Sequence, residues 1–296
     1  MSDDLERRYA RLLHLYPADY RRARGAELLA TLLESAQQGR RRPAAREVGA
    51  LVLGALRAHA GGDRRQSWQH SWLVAFRAAA LMLLVYDLAS RVVAIALDVA
   101  YGDPSLWSPT ELVLNLVALT LGAYALIAAI RGRYRSAVAA VSTAFLVTLV
   151  VMWSMRGPVF SGFWCFPLAV VLLAPLLWHR PPSGAGLVRY APVLPLLLVL
   201  AEQGLSQVFP GVAGILQRGF VLALSVGGLL WLAVDERLAM ALGLLLLNTL
   251  LVQVALVFAG GIRSIADAVP AMAVTGFLPA ILLLASGAAA RRRARI

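Results

Sequence analysis

The chain has 296 residues, 60% of them hydrophobic and 15% charged, with a mean hydropathy of +0.72. Soluble globular domains sit near ~45–50% apolar and ~25% charged, so these proportions exclude an ordinary soluble protein, a disordered chain and a secreted disulfide scaffold. The 28 basic residues are all arginine and exceed the 16 acids by +12; membrane proteins gather such an excess on cytosolic segments, and nucleic acid is not needed to explain it.

Residues 1–62 read as a small cytosolic helical module. The opening run MSDDLERRYAR has no apolar core of signal-peptide type, so the first long apolar stretch, near residue 72, is expected to be an uncleaved anchor. Helix one is expected from Ser2 to Leu15, with Ser2 as its cap. Asp3, Asp4 and Glu6 suit the positive end of its dipole. Its apolar stripe is Leu5, Tyr9, Leu12, Leu13 and Tyr16, and Pro17 breaks it. Helix two is expected from Ala18 to Gln38, with Tyr20, Leu28, Leu29, Leu32, Leu33 and Ala36 inward and Gly39 as the stop. After a turn at Arg40-Arg41-Arg42-Pro43, helix three runs to Ala60 with Val48, Leu51, Val52, Ala55 and Leu56 on one side. Gly61 and Gly62 end it.

This N-terminal part carries a resemblance. Tyr16-Pro17, Tyr20, Gly25, Glu27-Leu28-Leu29, Thr31-Leu32-Leu33, Gly39-Arg40, Arg42-Pro43 and Arg46-Glu47 make it similar to the cytosolic helical prefix of uncharacterised actinobacterial multi-span membrane proteins. It also resembles HAAS-type signalling modules and permease-prefix domains. The resemblance implies a helical prefix ahead of a multi-span region, in families often linked with PadR-type transcriptional control. It covers about a fifth of the chain and reaches no residue of the spans.

Residues 63–71 form a linker, 72–290 a transmembrane domain and 291–296 a basic tail. A bilayer core needs about 20 apolar residues per helix. Eight stretches qualify: 72–100, 111–130, 136–155, 160–178, 188–209, 215–234, 238–259 and 267–288. The expected fold is thus an all-α polytopic bundle with a cytosolic three-helix module. Trp68, Trp72, Trp107, Trp153 and Trp178 lie near span ends, as interfacial anchors do. With both termini cytosolic, inner segments hold 23 arginines and outer ones three, which orients the chain in a bacterial cytoplasmic membrane. A period near 104 residues relates Asp98 to Glu202, Gly122 to Gly227 and Pro175 to Pro279, the mark of a possible 4+4 tandem repeat. Pro167, Pro175, Pro192 and Pro195 are expected to kink their helices.

Ionisable groups in hydrocarbon cost about 2.5–3.5 kcal/mol each to insert and are functional candidates by default. Asp87 and Arg91 stand four apart, one turn on the same face, acid before base. They either relay protons or substrate or lock their helix into the bundle. Arg77, near the inner interface, is expected to snorkel. Asp98 and Glu202, if related by the repeat, line one cavity; otherwise they stand separately near the outer headgroups. Asn248, with Asn115, Gln203, Gln207 and Gln253, adds polarity that helix–helix hydrogen bonds account for.

The lone Cys165 and the scattered His14, His59, His70 and His179 have no metal-ligand spacing, and no HExxH, GxSxG or Walker A motif occurs. No cofactor, metal or catalytic residue is therefore expected, and the chain reads as a non-enzymatic membrane protein. Its expected partners are membrane lipids and a cytosolic protein bound through residues 1–62, with no nucleic acid. The rival reading is a small-solute or proton-coupled transporter. A polar cavity reaching the midplane favours transport, and a dry bundle favours signalling.

Overall fold

A computed structural model describes residues 3–36, 42–60, 68–101, 109–155, 165–179, 190–208, 213–258, 279–289 and 292. All described regular structure is helical, with no strand among these residues.

The first three helices are α1 (Asp3–Leu13), α2 (Ala18–Ser35) and α3 (Ala45–Ala60). The stripe Leu5, Tyr9, Leu13 and Tyr16 is buried against Leu51 and Ala55 of α3, with Leu12 partly buried beside it. The expected inward residues of α2, from Tyr20 to Ala36, lean on this core only partly buried, and α2 buries no residue fully. The expected cap at Ser2 and the stop at Gly39 lie outside the described residues.

The inward face of α3 differs from expectation. Val52 and Leu56 are 38% and 36% exposed, while Leu51, Ala55 and Ala58 face the core. The cause is Tyr16. Its hydroxyl fills the space at Gly54 where any Cβ would collide, so α3 turns its 51, 54, 55, 58 face towards α1. Glu47 fixes the start of α3. As the third helical residue it accepts the Ala44 N–H at 2.8 Å, and it also accepts the Tyr9 hydroxyl at 2.7 Å.

The remaining helices are α4 (Trp68–Tyr101), α5 (Pro109–Ile130), α6 (Tyr134–Met155), α7 (Cys165–Leu173, continued by a 3-10 turn Ala174–Leu177), α8 (Val193–Val208), α9 (Ala213–Trp231), α10 (Glu236–Phe258) and α11 (Pro279–Ala289). Each of the eight apolar stretches read from the sequence overlaps one of them; residues 160–164, 188–189, 209, 259 and 267–278 of those stretches lie outside the described part. Among the described residues, two helices are long and apolar enough to cross a membrane, through Gln69–Ala96 and Leu112–Ile130. Helix α4 is the hub, packing on α5, α7, α8 and α10.

The prolines act mostly at helix starts. Pro192 precedes α8 and Pro195 is its third residue, whereas Pro167 is the third described residue of α7, and the residues before Cys165 lie outside the described part. First-turn N–H groups have no intrahelical partner, so proline breaks no bond there and produces no kink. Only Pro175 coincides with a break, where α7 passes into the 3-10 turn.

Two tight turns organise the hairpins. At the end of α5, Gly132 takes φ +73°, the Gly132 N–H bonds to Ala129 O and the Arg133 N–H to Ala128 O at 2.8 Å. This paired closure requires a left-handed residue, hence glycine. At the start of α10, buried Asp235 accepts the Arg237 N–H at 2.9 Å, as an N-cap does.

The two parts of the chain differ in what they expose. The core from α4 to α11 is rich in alanine, with Ala79, Ala125, Ala129, Ala137, Ala144 and Ala239 fully or almost fully buried. Large aliphatic side chains face outward on α5, α6, α8 and α9, including Val113, Leu146, Leu197 and Leu230. In residues 3–60 the exposed positions instead include Glu6, Arg8, Asp19, Arg22, Glu27 and Arg46.

Candidate functional site

The buried polar centre is built on α4. Asp87 is 1% exposed, and the Arg91 Nε donates to its Oδ2 at 2.9 Å. Helical spacing alone sets this pair; tertiary packing supplies the rest. Arg91 Nη2 donates to Thr148 Oγ1 of α6 at 3.3 Å, and its guanidinium lies over the Phe166 ring of α7, 5.1 Å from the centroid. Gly122 of α5 lies beside this layer, where a Cβ would meet Leu88 and Phe166 at ordinary contact distance. Arg91 thereby joins α4, α6 and α7. Its cation is partnered by a carboxylate, a hydroxyl and a ring face, and its side chain is 15% exposed.

The second Asp87 oxygen, Oδ1, has no hydrogen-bond partner among the described residues, and neither does the Oδ1 of Asn248. Asn248 is 4% exposed on α10 and lies beside the buried Cys165. By contrast, the hydroxyls of Thr148, Ser225, Thr249 and Ser286 each bond to a carbonyl three or four residues back in their own helix.

A cavity of about 40 Å³ opens between α4, α8, α9 and α10. Its polar lining is Tyr86, Glu202, Asn248 and Thr249, and its apolar lining includes Leu198, Phe220 and Leu245. One water needs roughly 10–15 Å³ on this measure, so the cavity has room for a few waters or a small cation.

Of the five residues singled out from sequence, the fold gathers four around α4: Asp87, Arg91, Glu202 and Asn248. The Asp98 side chain lies outside the described residues, as do those of Gln203, Gln207 and Gln253, so the expected Asp98–Glu202 cavity is not described. Tyr86, Thr148, Cys165 and Phe166 were not anticipated as neighbours of this centre. Tyr86 adjoins Asp87 in the chain; the other three come from distant helices and carry no local signal. Arg77 Nη2 donates to Ile130 O at 3.1 Å, so its expected snorkelling ends on the last carbonyls of α5. Trp72 packs partly buried against Phe76 and the Ala75–Met240 contact, whereas Trp178 is 77% exposed. The side chains of Trp68, Trp107 and Trp153 lie outside the described residues.

The first three helices meet the bundle at the α9–α10 turn, where exposed Arg57 donates from Nε to Ala233 O at 2.7 Å. Among the described residues, no three His, Cys, Asp or Glu side chains gather into a set that could hold a metal. Comparison of the chain with family models, curated proteins and solved structures gave no match.

Proposed function

We propose that this chain is a non-enzymatic, multi-pass protein of the bacterial cytoplasmic membrane. It has eight spans, both termini in the cytosol, and an N-terminal helical module that binds a protein partner. The observation that carries this reading is the contrast between the two surfaces. Residues 3–60 expose many charged side chains, as a water-facing domain does. From α4 onward, large aliphatic side chains face outward while many alanines sit among the buried contacts, which suits helices whose solvent is lipid and whose contacts depend on close approach. Exposed apolar faces on so many helices would be an aggregation hazard in water.

The module supplies a surface for a partner. Helix α2 packs on α1, yet it buries none of its own residues and presents Asp19, Arg22, Ala26, Glu27, Ala30 and Glu34 outward. A photo-crosslinking residue at Ala26 or Ala30 of the full chain, in its own cells, tests this. A discrete protein adduct that disappears on Glu27→Arg supports the reading; adducts with lipid alone oppose it.

A second reading, proton-coupled transport, rests on the cavity lined by Tyr86, Glu202 and Asn248. Its size, room for a few waters, suits a proton or small cation. Proteoliposomes under an imposed pH gradient separate the readings. Proton flux abolished by Glu202→Gln favours transport; vesicles as tight as protein-free ones favour the partner-binding reading.

A further inference from the structure

We propose that the pocket between the α5–α6 turn and the 3-10 turn after α7 binds the phosphate headgroup of an anionic phospholipid. The inference rests on the membrane reading above, because it places this end of the bundle at the inner leaflet. The pocket has a volume of about 470 Å³ and is lined by Gly132, Arg133, Tyr134, Arg135, Ser136, Leu176 and Leu177.

Its chemistry is divided. Arg133 and Arg135 are exposed and form no ion pair among the described residues, unlike Arg7, Arg22 and Arg91, which each hold a carboxylate. Arg131 is exposed on the same turn, and Arg77 is tied to the end of α5 at Ile130. Four guanidinium groups therefore stand at one end of the bundle. The local backbone explains how the pair comes to share a pocket. The left-handed Gly132 ends α5 and redirects the chain so that α6 starts at once at Tyr134. Arg133 and Arg135 thus straddle the first residue of α6.

The other wall is apolar. Leu176 is buried, Leu177 is partly buried, and the next residue, Trp178, projects 77% exposed. Tryptophan in that position belongs at headgroup level. A free phosphate ion would use the arginines and leave the leucines and the tryptophan without a role. A phospholipid uses both walls, with its phosphate on the guanidinium groups and its glycerol and upper acyl carbons along Leu177 and Trp178. Basic pockets between spans on the cytosolic side are suited to anionic headgroups, and arginine matches phosphate by its planar donor fork.

The test uses the purified full chain and phosphatidylglycerol, with phosphatidylcholine as the neutral comparison. Lipid adducts are followed by native mass spectrometry and by affinity in nanodiscs. Loss of two charges from the site is expected to weaken phosphatidylglycerol binding roughly tenfold or more, so Arg133→Gln with Arg135→Gln should do this while leaving phosphatidylcholine adducts unchanged. Arg22→Gln, in the N-terminal module, should have no effect, and added salt should reduce the difference between the two lipids. Unchanged phosphatidylglycerol binding in the double variant, or an equal loss with Arg22→Gln, overturns the inference. Complete displacement by millimolar inorganic phosphate also overturns it, by assigning the pocket to the free ion. Maleimide labelling of Ser183→Cys in cells, away from the pocket lining, separates this result from the topology. Protection of Ser183→Cys with unchanged lipid binding removes the inference alone. Labelling from outside with lipid binding lost in the double variant keeps the site and removes the orientation.

Discussion

Arg91 holds Asp87 with one nitrogen and Thr148 with another, at 2.9 and 3.3 Å, while its guanidinium lies over Phe166. A pair that the sequence marks only as two charges one helical turn apart is thus the junction of three helices. Removing one charge leaves the other buried without its partner, which typically costs about 3–5 kcal/mol, whereas replacing both together is often far milder. Asp87→Ala should therefore lower the thermal stability of the detergent-purified protein more than Asp87→Ala combined with Arg91→Ala. Equal, small effects of the two would mean that the pair contributes no structural coupling.

Arg91→Lys addresses the geometry of the same junction. Lysine keeps the charge and can still reach Asp87, but it loses the planar fork that serves Thr148 and the face that lies on Phe166. A loss of about 1–2 kcal/mol is expected, from one hydrogen bond and part of a cation–π contact. Thr148→Val in the Arg91→Lys background should then cost much less than in wild type, which a double-mutant cycle would measure.

The N-terminal module gives a steric prediction. Gly54 has no room for a Cβ because the Tyr16 hydroxyl occupies the space, and the Tyr16 Cζ lies 3.3 Å from it. Gly54→Ala should destabilise the module by about 1–3 kcal/mol, the usual cost of overpacking. Combining it with Tyr16→Phe should recover part of that loss by removing the clashing oxygen. Hydrogen exchange of α1 and α3 in the full chain reads both effects. A harmless Gly54→Ala would mean that α1 and α3 are not held this close.

Glu47 makes a second test local to the module. It accepts both the Ala44 N–H and the Tyr9 hydroxyl, so Glu47→Ala removes two hydrogen bonds at once and opens the start of α3. A cost of about 1–2 kcal/mol is expected. Glu47→Gln retains an acceptor oxygen and should cost less. The same exchange experiment checks it, and indistinguishable Ala and Gln variants would contradict the two-acceptor role.

Helix positions were legible because apolar length, proline and glycine mark them directly: Pro17 separates α1 from α2, and the eight apolar stretches each overlap a helix. Facing was less legible. Val52 and Leu56 fit the periodicity of α3 as well as Leu51 and Ala55 do, and only the fit of Tyr16 into Gly54 decides between them. Prolines gave a misleading signal at Pro192 and Pro195, since the same residue kinks a helix interior and starts a helix without cost. At the polar centre, Asp87 and Arg91 declared themselves by spacing within one helix. Thr148, Cys165 and Phe166 could not, because their relation to the pair exists only after α6 and α7 pack on α4. The pairing of Tyr9 with Glu47 was hidden for the same reason, 38 residues apart in the chain.

The central claim is that this chain crosses the membrane repeatedly with its N-terminal module and the α5–α6 turn in the cytosol. Single cysteines at Ser105, Ser136, Ser183 and Ser264, probed with an impermeant maleimide in intact cells, test it most directly. The native Cys165 is fully buried and should stay silent. Ser105→Cys and Ser264→Cys should label from outside, while Ser136→Cys and Ser183→Cys should label only after permeabilisation. Labelling of Ser136→Cys in intact cells, or protection of both Ser105→Cys and Ser264→Cys, would contradict the account.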